Sequence, residues 1–208
     1  NMIRFAITNK VKPLHYTSSA SVFSFMHYFN EVSWLTEEEI YWNNNAYLQA
    51  LSKDIGYTQS KAVAEELMWQ ASRRGIPVTI YRLGFVLCHS KTGVGNMEQL
   101  WSRLIKDCLV LGSYPSLTNL KGEFVTVDYA SQAISRLSRK ADSTGQVFHL
   151  VPSPEQNMTT DALFNIIAKC NPEYVLKRIP FLRWRKRLEC YLADNNGDLK
   201  LLLPLFKD

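Results

Sequence analysis

Long apolar runs are missing from this sequence of 208 residues. A membrane-spanning helix needs about 20 consecutive, mostly apolar residues, whereas runs such as Leu201-Leu202-Leu203 are far shorter. The segment that begins at Asn1 also lacks the basic and then apolar layout of a secretory signal. We therefore expect a cytoplasmic protein with no membrane partner, and we expect the natural chain to extend before Asn1.

Cysteine and histidine are scarce, and neither occurs at the spacing of a metal site. The four cysteines are scattered, at Cys88, Cys108, Cys170 and Cys190. The four histidines are scattered as well, at His15, His27, His89 and His149. Because zinc and redox motifs need closely spaced ligand pairs, we predict reduced thiols and no metal.

The charge balance is only mildly basic. A net charge of +5 over this length does not require a nucleic-acid partner. Hydrophobic residues make up 46% of the chain and charged residues 21%, which is typical of a folded protein and not of a disordered one. We therefore predict a globular protein that does not bind nucleic acid.

Strand-like and helix-like segments alternate along most of the chain. Strands are predicted, from β-branched and aromatic content, over residues 13–17, 78–88 and 146–151. Helices are predicted, from apolar residues at three- and four-residue spacing, over residues 58–74, 97–107 and 128–139. Such alternation predicts an α/β fold with a mainly parallel sheet that is flanked by helices.

A proline-containing break at residues 151–154 marks a predicted domain boundary. Helices are predicted after it, over residues 160–170 and 181–193. We therefore divide the chain into an α/β domain, residues 1–151, and a smaller, mostly helical lobe, residues 152–208.

Tyr57 and Lys61 stand four residues apart at the start of a predicted helix, in the segment Gly56-Tyr57-Thr58-Gln59-Ser60-Lys61. This spacing places both side chains on one helix face, with Cβ atoms about 5–6 Å apart. A lysine cation beside a phenol favours the phenolate, so Tyr57 can exchange a proton with a substrate oxygen. The alternative is a surface tyrosine beside a solvated lysine.

The segments on either side of this helix complete a recognisable order. Hydroxyl residues end the strand before it, in Thr17-Ser18-Ser19, and Arg82-Leu83-Gly84 lies in the strand after it. This order resembles the extended short-chain dehydrogenase/reductase family. The resemblance implies that residues 1–151 are the C-terminal part of a Rossmann-like reductase domain, whose first dinucleotide-binding units are missing.

The resemblance also implies roles for individual residues. Ser19 would hydrogen-bond the substrate carbonyl oxygen, Tyr57 would donate the proton, and Lys61 would bind the nicotinamide ribose. Cofactor contacts are implied at Tyr57, Lys61, Gly84 and Phe85. Leu83 stands where the family often has proline, so the loop beside the nicotinamide is expected to differ. The alternatives are a tight bend at Gly84 and a turn or capping cluster at Ser19.

A wider set of segments is similar to the thioester reductase domains that end many nonribosomal peptide synthetases and polyketide hybrids, and to the related carboxylic acid and aminoadipate reductases. These segments are residues 12–19, 56–65, 74–78, 92–96 and 127–130. The resemblance implies that NADPH reduces an acyl thioester, held on the phosphopantetheine arm of a carrier protein, to an aldehyde and in some cases on to an alcohol. It also implies that residues 152–208 bind the substrate or the carrier.

Three other functions stay open. One is a release domain of the same fold that cyclises its substrate without redox chemistry. Another is a sugar epimerase or ketone reductase of the same superfamily. The third is a fragment that binds a carrier protein without catalysis.

No glycine-rich phosphate loop precedes Ser19, although a dinucleotide-binding fold opens with one. Gly93-Val94-Gly95 lies downstream, and Glu98 occupies its third glycine position. We interpret it as a bend. We therefore expect this chain alone to bind NADPH weakly or not at all, and to be inactive by itself.

The C-terminal part of the chain contains a basic segment. Its members are Lys177, Arg178, Arg183, Arg185, Lys186 and Arg187. Carrier proteins tend to be acidic, so this segment could guide docking. The alternative is a helix with a solvated cationic face.

Overall fold

The structure, a computed structural model, describes residues 1–23, 35–37, 44–117, 121–194 and 200. The helices in these ranges are α1 (Met2–Ile7), α2 (Asn45–Lys53), α3 (Gly56–Arg73), α4 (Leu100–Leu111), α5 (Val127–Leu137), α6 (Thr160–Cys170) and α7 (Phe181–Asp194). The strands are β1 (Leu14–Ser19), β2 (Val78–Leu83), β3 (Phe85–Leu87), β4 (Ser113–Ser116), β5 (Lys121–Gly122), β6 (Phe124–Thr126), β7 (Val147–Leu150), β8 (Met158–Thr159) and β9 (Lys177–Pro180).

The chain divides into two compact units. The first comprises residues 1–84 and 128–151, and the second comprises residues 85–127 and 152–208. The observed and the predicted divisions share one boundary, which lies between residues 151 and 152. They differ over residues 85–127, which pack with the C-terminal part of the chain.

A parallel sheet of three strands, in the order β1-β2-β7, forms the centre of the first unit. All residues of β2 except Leu83 are buried, as is typical of the central strand of a parallel sheet with both faces covered. Met68 and Ala71 of α3 pack with Ile80 and Val147 in one apolar cluster. The predicted α/β architecture with parallel strands and flanking helices is confirmed.

The predicted strand over residues 78–88 is two strands, separated at Gly84. The Gly84 amide donates to the Leu150 carbonyl at 3.2 Å, which closes the pairing of β2 with β7. The Phe85 amide donates to the Glu123 carbonyl at 2.8 Å and begins the pairing of β3 with β6. The apolar run is continuous in sequence, but its two halves find different partners, so the prediction of one strand was wrong.

In the second unit, small sheets and helices surround a core that is rich in aromatic residues. The sheets are the parallel pairs β3-β6 and β4-β9 and the antiparallel pair β5-β8. Trp101 of α4, Phe164 of α6 and Trp184 of α7 are buried together in this core. The stretch after residue 151 therefore contains helices, as predicted, together with two short strands, β8 and β9.

Within the ranges that the structure describes, no helix is both long enough and apolar enough to cross a membrane. In those same ranges, no cluster of three or more histidine, cysteine or acidic side chains is placed to hold a metal ion.

Candidate active site

Ser19 ends β1, at the edge of the sheet where parallel strands present their carboxyl ends. It lies opposite Leu83 in the strand register, and a short 3-10 turn over Ala20–Phe23 follows it. The Ser21 amide donates to the Ser19 hydroxyl oxygen at 3.2 Å. Because a serine hydroxyl has one donor and two acceptor positions, this bond fixes the oxygen and leaves its proton for another acceptor.

Tyr57 lies in the first turn of α3, with 54% of its surface exposed. The Gln59 side-chain amide ties this turn to the end of α2. It donates to the carbonyls of Leu51 at 3.0 Å, Ser52 at 3.2 Å and Asp54 at 3.0 Å. Gln59 thus positions the start of the helix and leaves the Tyr57 phenol open to solvent.

Lys61 connects α3 to β1. Its ammonium donates to the Thr17 carbonyl at 2.9 Å, and it lies 6.0 Å from the centroid of the Tyr57 ring and 5.5 Å from that of Tyr16. These distances fall within the range of cation–π attraction. The structure therefore brings Lys61 together with Tyr57 and with the strand that carries Ser19 two residues after Thr17.

A buried ion pair joins α3 to β2 one helical turn after Lys61. The Arg82 Nη2 atom is 2.7 Å from Glu65 Oε1, and both side chains have no exposed surface. The Ser18 hydroxyl donates to Glu65 Oε2 at 2.6 Å. Glu65 has no predicted role in the sequence, although it lies four residues after Lys61 and therefore on the same face of the helix.

Electrostatics around this pair follow from burial. Burial is the main cause that raises the pKa of Tyr16, and the Glu65 carboxylate and Tyr57 raise it further. Burial is the main cause that lowers the pKa of His149 to about 4, and the Arg82 cation contributes to the same shift. The neutral His149 ring lies 3.0 Å from Arg82, between Nε2 and Nη1, so Nε2 accepts this bond from the permanently charged guanidinium.

Gly84 and Phe85, the two other predicted cofactor contacts, have structural partners. Gly84 closes the end of β2 in the first unit, as described above. Phe85 opens β3 in the second unit, where its ring packs on Trp101 at 5.5 Å and on Phe124 at 5.9 Å between centroids. Its side chain is nevertheless 45% exposed. Cofactor contact at both positions stays a prediction.

Residues 1–134 match the model of the NAD-binding family described as Male sterility protein. The chain belongs to this family. Its relatives include an aldehyde reductase, lnbA, of Aspergillus flavus. The two sequences are 35% identical over 90% of this chain and 18% of the length of lnbA. A non-canonical nonribosomal peptide synthetase, cpsA, of Aspergillus campestris is 34% identical over 100% of this chain and 20% of its own length.

A solved structure confirms the Rossmann-like fold of this chain. The terminal R domain from the myxalamid PKS-NRPS biosynthetic pathway matches with a TM-score of 0.82 and 34% identity, over 100% of this chain and 49% of that chain. The resemblance to reductase domains of peptide synthetases is thereby confirmed. The chain spans about a fifth of the length of the two curated relatives.

The side chains of Tyr57 and Lys61, on α3, suit one end of a nicotinamide dinucleotide. A ribose offers hydroxyl groups, which accept from an ammonium and exchange hydrogen bonds with a phenol. Tyr57 is exposed and Lys61 lies beside its ring, so the donor set fits the nicotinamide ribose. The fit concerns that end alone, since the sequence has no glycine before Gly56 and therefore no phosphate loop ahead of Ser19.

Proposed function

We propose that this chain carries the catalytic and substrate-binding part of an NADPH-dependent thioester reductase. In this proposal the whole protein releases an acyl or peptidyl group from a carrier protein as an aldehyde. One observation carries it: the Lys61 ammonium, fixed on the Thr17 carbonyl at 2.9 Å, lies beside the exposed Tyr57 ring. The bond ties this cation to the strand that carries Ser19, whereas a lysine solvated only by water, the alternative reading of the spacing, would make no such bond.

When bound, the nicotinamide supplies a hydride to the thioester carbonyl carbon. As negative charge develops on the carbonyl oxygen, the hydroxyls of Ser19 and Tyr57 would donate to it, which stabilises the transition state more than the ground state. Tyr57 would then transfer its proton to that oxygen and give a hemithioacetal. The positive charge of Lys61 favours this transfer because it stabilises the phenolate that Tyr57 becomes.

Collapse of the hemithioacetal completes the release. The carbon–sulfur bond breaks, its electron pair leaves on sulfur, and the oxygen loses its proton as the aldehyde carbonyl forms. The Tyr57 phenolate takes up this proton, which restores its phenol for the next cycle. The thiolate of the carrier's arm takes a proton from solvent and leaves as the thiol.

The experiment is a comparison of Tyr57→Phe with Tyr129→Phe in the full natural chain. Tyr129 lies on α5 of the same unit and is 50% exposed, close to the 54% of Tyr57. With an acyl thioester, Tyr57→Phe should lower the kcat of NADPH oxidation about 10²- to 10⁴-fold, and Tyr129→Phe should leave it unchanged. Equal activity in both variants would exclude the proposed chemistry. Product formation without NADPH oxidation would favour a cyclising release domain.

The basic segment supports a carrier-protein partner only in part. The Arg187 guanidinium donates to the Leu111 carbonyl at 3.0 Å, and Arg185 pairs with Glu189 at 3.0 Å. These two cations therefore have structural roles in the second unit. Arg183 and Lys186 are exposed on α7 and are the better candidates for docking an acidic carrier.

Charge reversal tests this partner. Arg183→Glu with Lys186→Glu should raise KM for a carrier-bound thioester and leave KM for a small soluble thioester unchanged, because only the carrier meets α7. A matched double variant in the first unit, Lys10→Glu with Lys140→Glu, reverses two exposed cations and should alter neither KM. The same rise in KM for both substrates would count against docking at α7.

A further inference from the structure

A row of side chains crosses the main sheet directly beneath α3. Ser18, Arg82 and His149 are aligned with one another in the register of β1, β2 and β7. Residues aligned in adjacent strands project from the same face of a sheet. All three belong to one hydrogen-bonded group. Ser18 and Arg82 donate to the Glu65 carboxylate, and Arg82 bonds to His149.

Glu65 continues the face of α3 that carries the proposed catalytic pair. It follows Lys61 by four residues and Tyr57 by eight, so the three side chains lie along one side of the helix. Lys61 bonds to the Thr17 carbonyl at 2.9 Å and Glu65 accepts from the Ser18 hydroxyl at 2.6 Å. The helix is thus bonded to two consecutive residues of β1, and the next residue is Ser19.

The Arg82 side chain is itself held on several sides. Its Nε and Nη2 atoms donate to Glu65 at 3.1 and 2.7 Å. Its Nη1 atom donates to the Glu37 carbonyl at 3.1 Å and to His149 at 3.0 Å. The Phe23 ring centroid lies 4.7 Å from its central carbon. A planar guanidinium fixed in this way holds the Glu65 carboxylate in one orientation.

We propose that Ser18, Glu65 and Arg82 form a positioning network that fixes β1 against α3, and thereby sets the placement of Ser19 relative to Tyr57 and Lys61. This inference rests on the proposed function. Stability alone is a poor explanation, because apolar residues of similar volume often replace a buried ion pair without loss. Placement is a better one, since a displacement of about 1 Å at an active site can cost about 100-fold in rate.

The deciding comparison is Ser18→Ala against Thr79→Val in the full natural chain. Both residues are 2% exposed, and the Thr79 hydroxyl donates to the Ser143 carbonyl at 3.1 Å. Each substitution removes one buried hydrogen bond from the same sheet, but only Ser18 bonds to Glu65. Ser18→Ala should lower kcat about 10- to 100-fold with little change in KM, whereas Thr79→Val should leave kcat within about 2-fold.

A second measurement needs neither cofactor nor substrate. Acetic anhydride labels lysine amines, and mass spectrometry reports the rate at Lys61. Ser18→Ala should raise that rate by about threefold or more, because loosening β1 frees the ammonium from the Thr17 carbonyl; Thr79→Val should not. If Ser18→Ala folds poorly, Glu65→Asp serves instead, since it keeps both charges and withdraws the carboxylate by one methylene.

The outcomes separate the two proposals. If Tyr57→Phe retains activity, the proposed function fails, and the Lys61 labelling rates alone decide whether Ser18 holds the helix in place. If Tyr57→Phe is inactive but Ser18→Ala matches Thr79→Val in both kcat and labelling, the network has only a structural role and this inference is overturned.

Discussion

Arg82→Met should destabilise the protein far more than Arg73→Met, although each substitution breaks one ion pair to a glutamate of α3. The N–O distances are nearly equal, 2.7 Å for Arg82–Glu65 and 2.8 Å for Arg73–Glu66. Their surroundings differ, because the first pair has 0% of either side chain exposed whereas Arg73 is 62% exposed. The comparison therefore sets a fully buried pair, whose arginine also bonds to His149 and to the Glu37 carbonyl, against a largely exposed arginine at nearly the same distance.

The magnitudes follow from the charge that each substitution leaves behind. Arg82→Met leaves the Glu65 carboxylate buried, with the Ser18 hydroxyl as its donor among the described residues. Stranding one charge of a buried pair costs about 3–5 kcal/mol. Arg73→Met should cost less than about 1 kcal/mol, because the remaining Glu66 carboxylate keeps some contact with water and still accepts from the Gln70 side-chain amide at 3.0 Å. Replacing Arg82 and Glu65 together should cost less than Arg82→Met, since neither charge then stays buried.

Urea unfolding followed by far-ultraviolet circular dichroism measures these differences. The four proteins to compare are the wild type, Arg82→Met, Arg73→Met and the double variant Glu65→Leu with Arg82→Met. The free energy of unfolding should fall most for Arg82→Met and should partly recover in the double variant. Equal losses in the two single variants, or a double variant no more stable than Arg82→Met, would refute the reasoning.

Three further predictions concern pH, thiols and one turn. Because the folded state lowers the pKa of His149 to about 4 while the unfolded chain binds this proton near pH 6.5, the free energy of unfolding should fall between pH 7 and pH 4.5. The loss has an upper bound of about 3 kcal/mol, which partial exposure reduces to about 2 or less, and His149→Gln should remove much of it in urea titrations at both pH values. Burial raises the pKa of the Cys108 thiol, so a disulfide reagent should modify Cys108 only on unfolding, while it reacts in the folded protein with the exposed Cys88, Cys170 and Cys190. Gly112 ends α4 with φ of 60°, so Gly112→Ala should lower the free energy of unfolding by about 1 kcal/mol in urea titrations. Gly56→Ala should not lower it, because a Cβ at this position, at the start of α3, meets open space.

Local spacing determined much of what the sequence could predict. The helix over residues 160–170 has the predicted bounds, and α3 differs from its predicted range by two residues at the start and one at the end. The neighbourhood of Tyr57 and Lys61 was predictable because four-residue spacing on a helix fixes which side chains share a face. The family resemblance was also available from the chain alone, since the order of its short segments is a property of the sequence.

Only the tertiary structure decided which distant residues meet. Glu65, Arg82 and His149 are far apart in the sequence, and nothing in their spacing pairs them with one another. Parallel pairing of β2 with both neighbours aligns Arg82 with Ser18 and His149 and buries Glu65 above them. The break at Gly84 had the same origin, because strand pairing depends on partners that lie elsewhere in the chain. Apolar periodicity records whether a residue is buried, but it carries no information about its neighbours in the next strand.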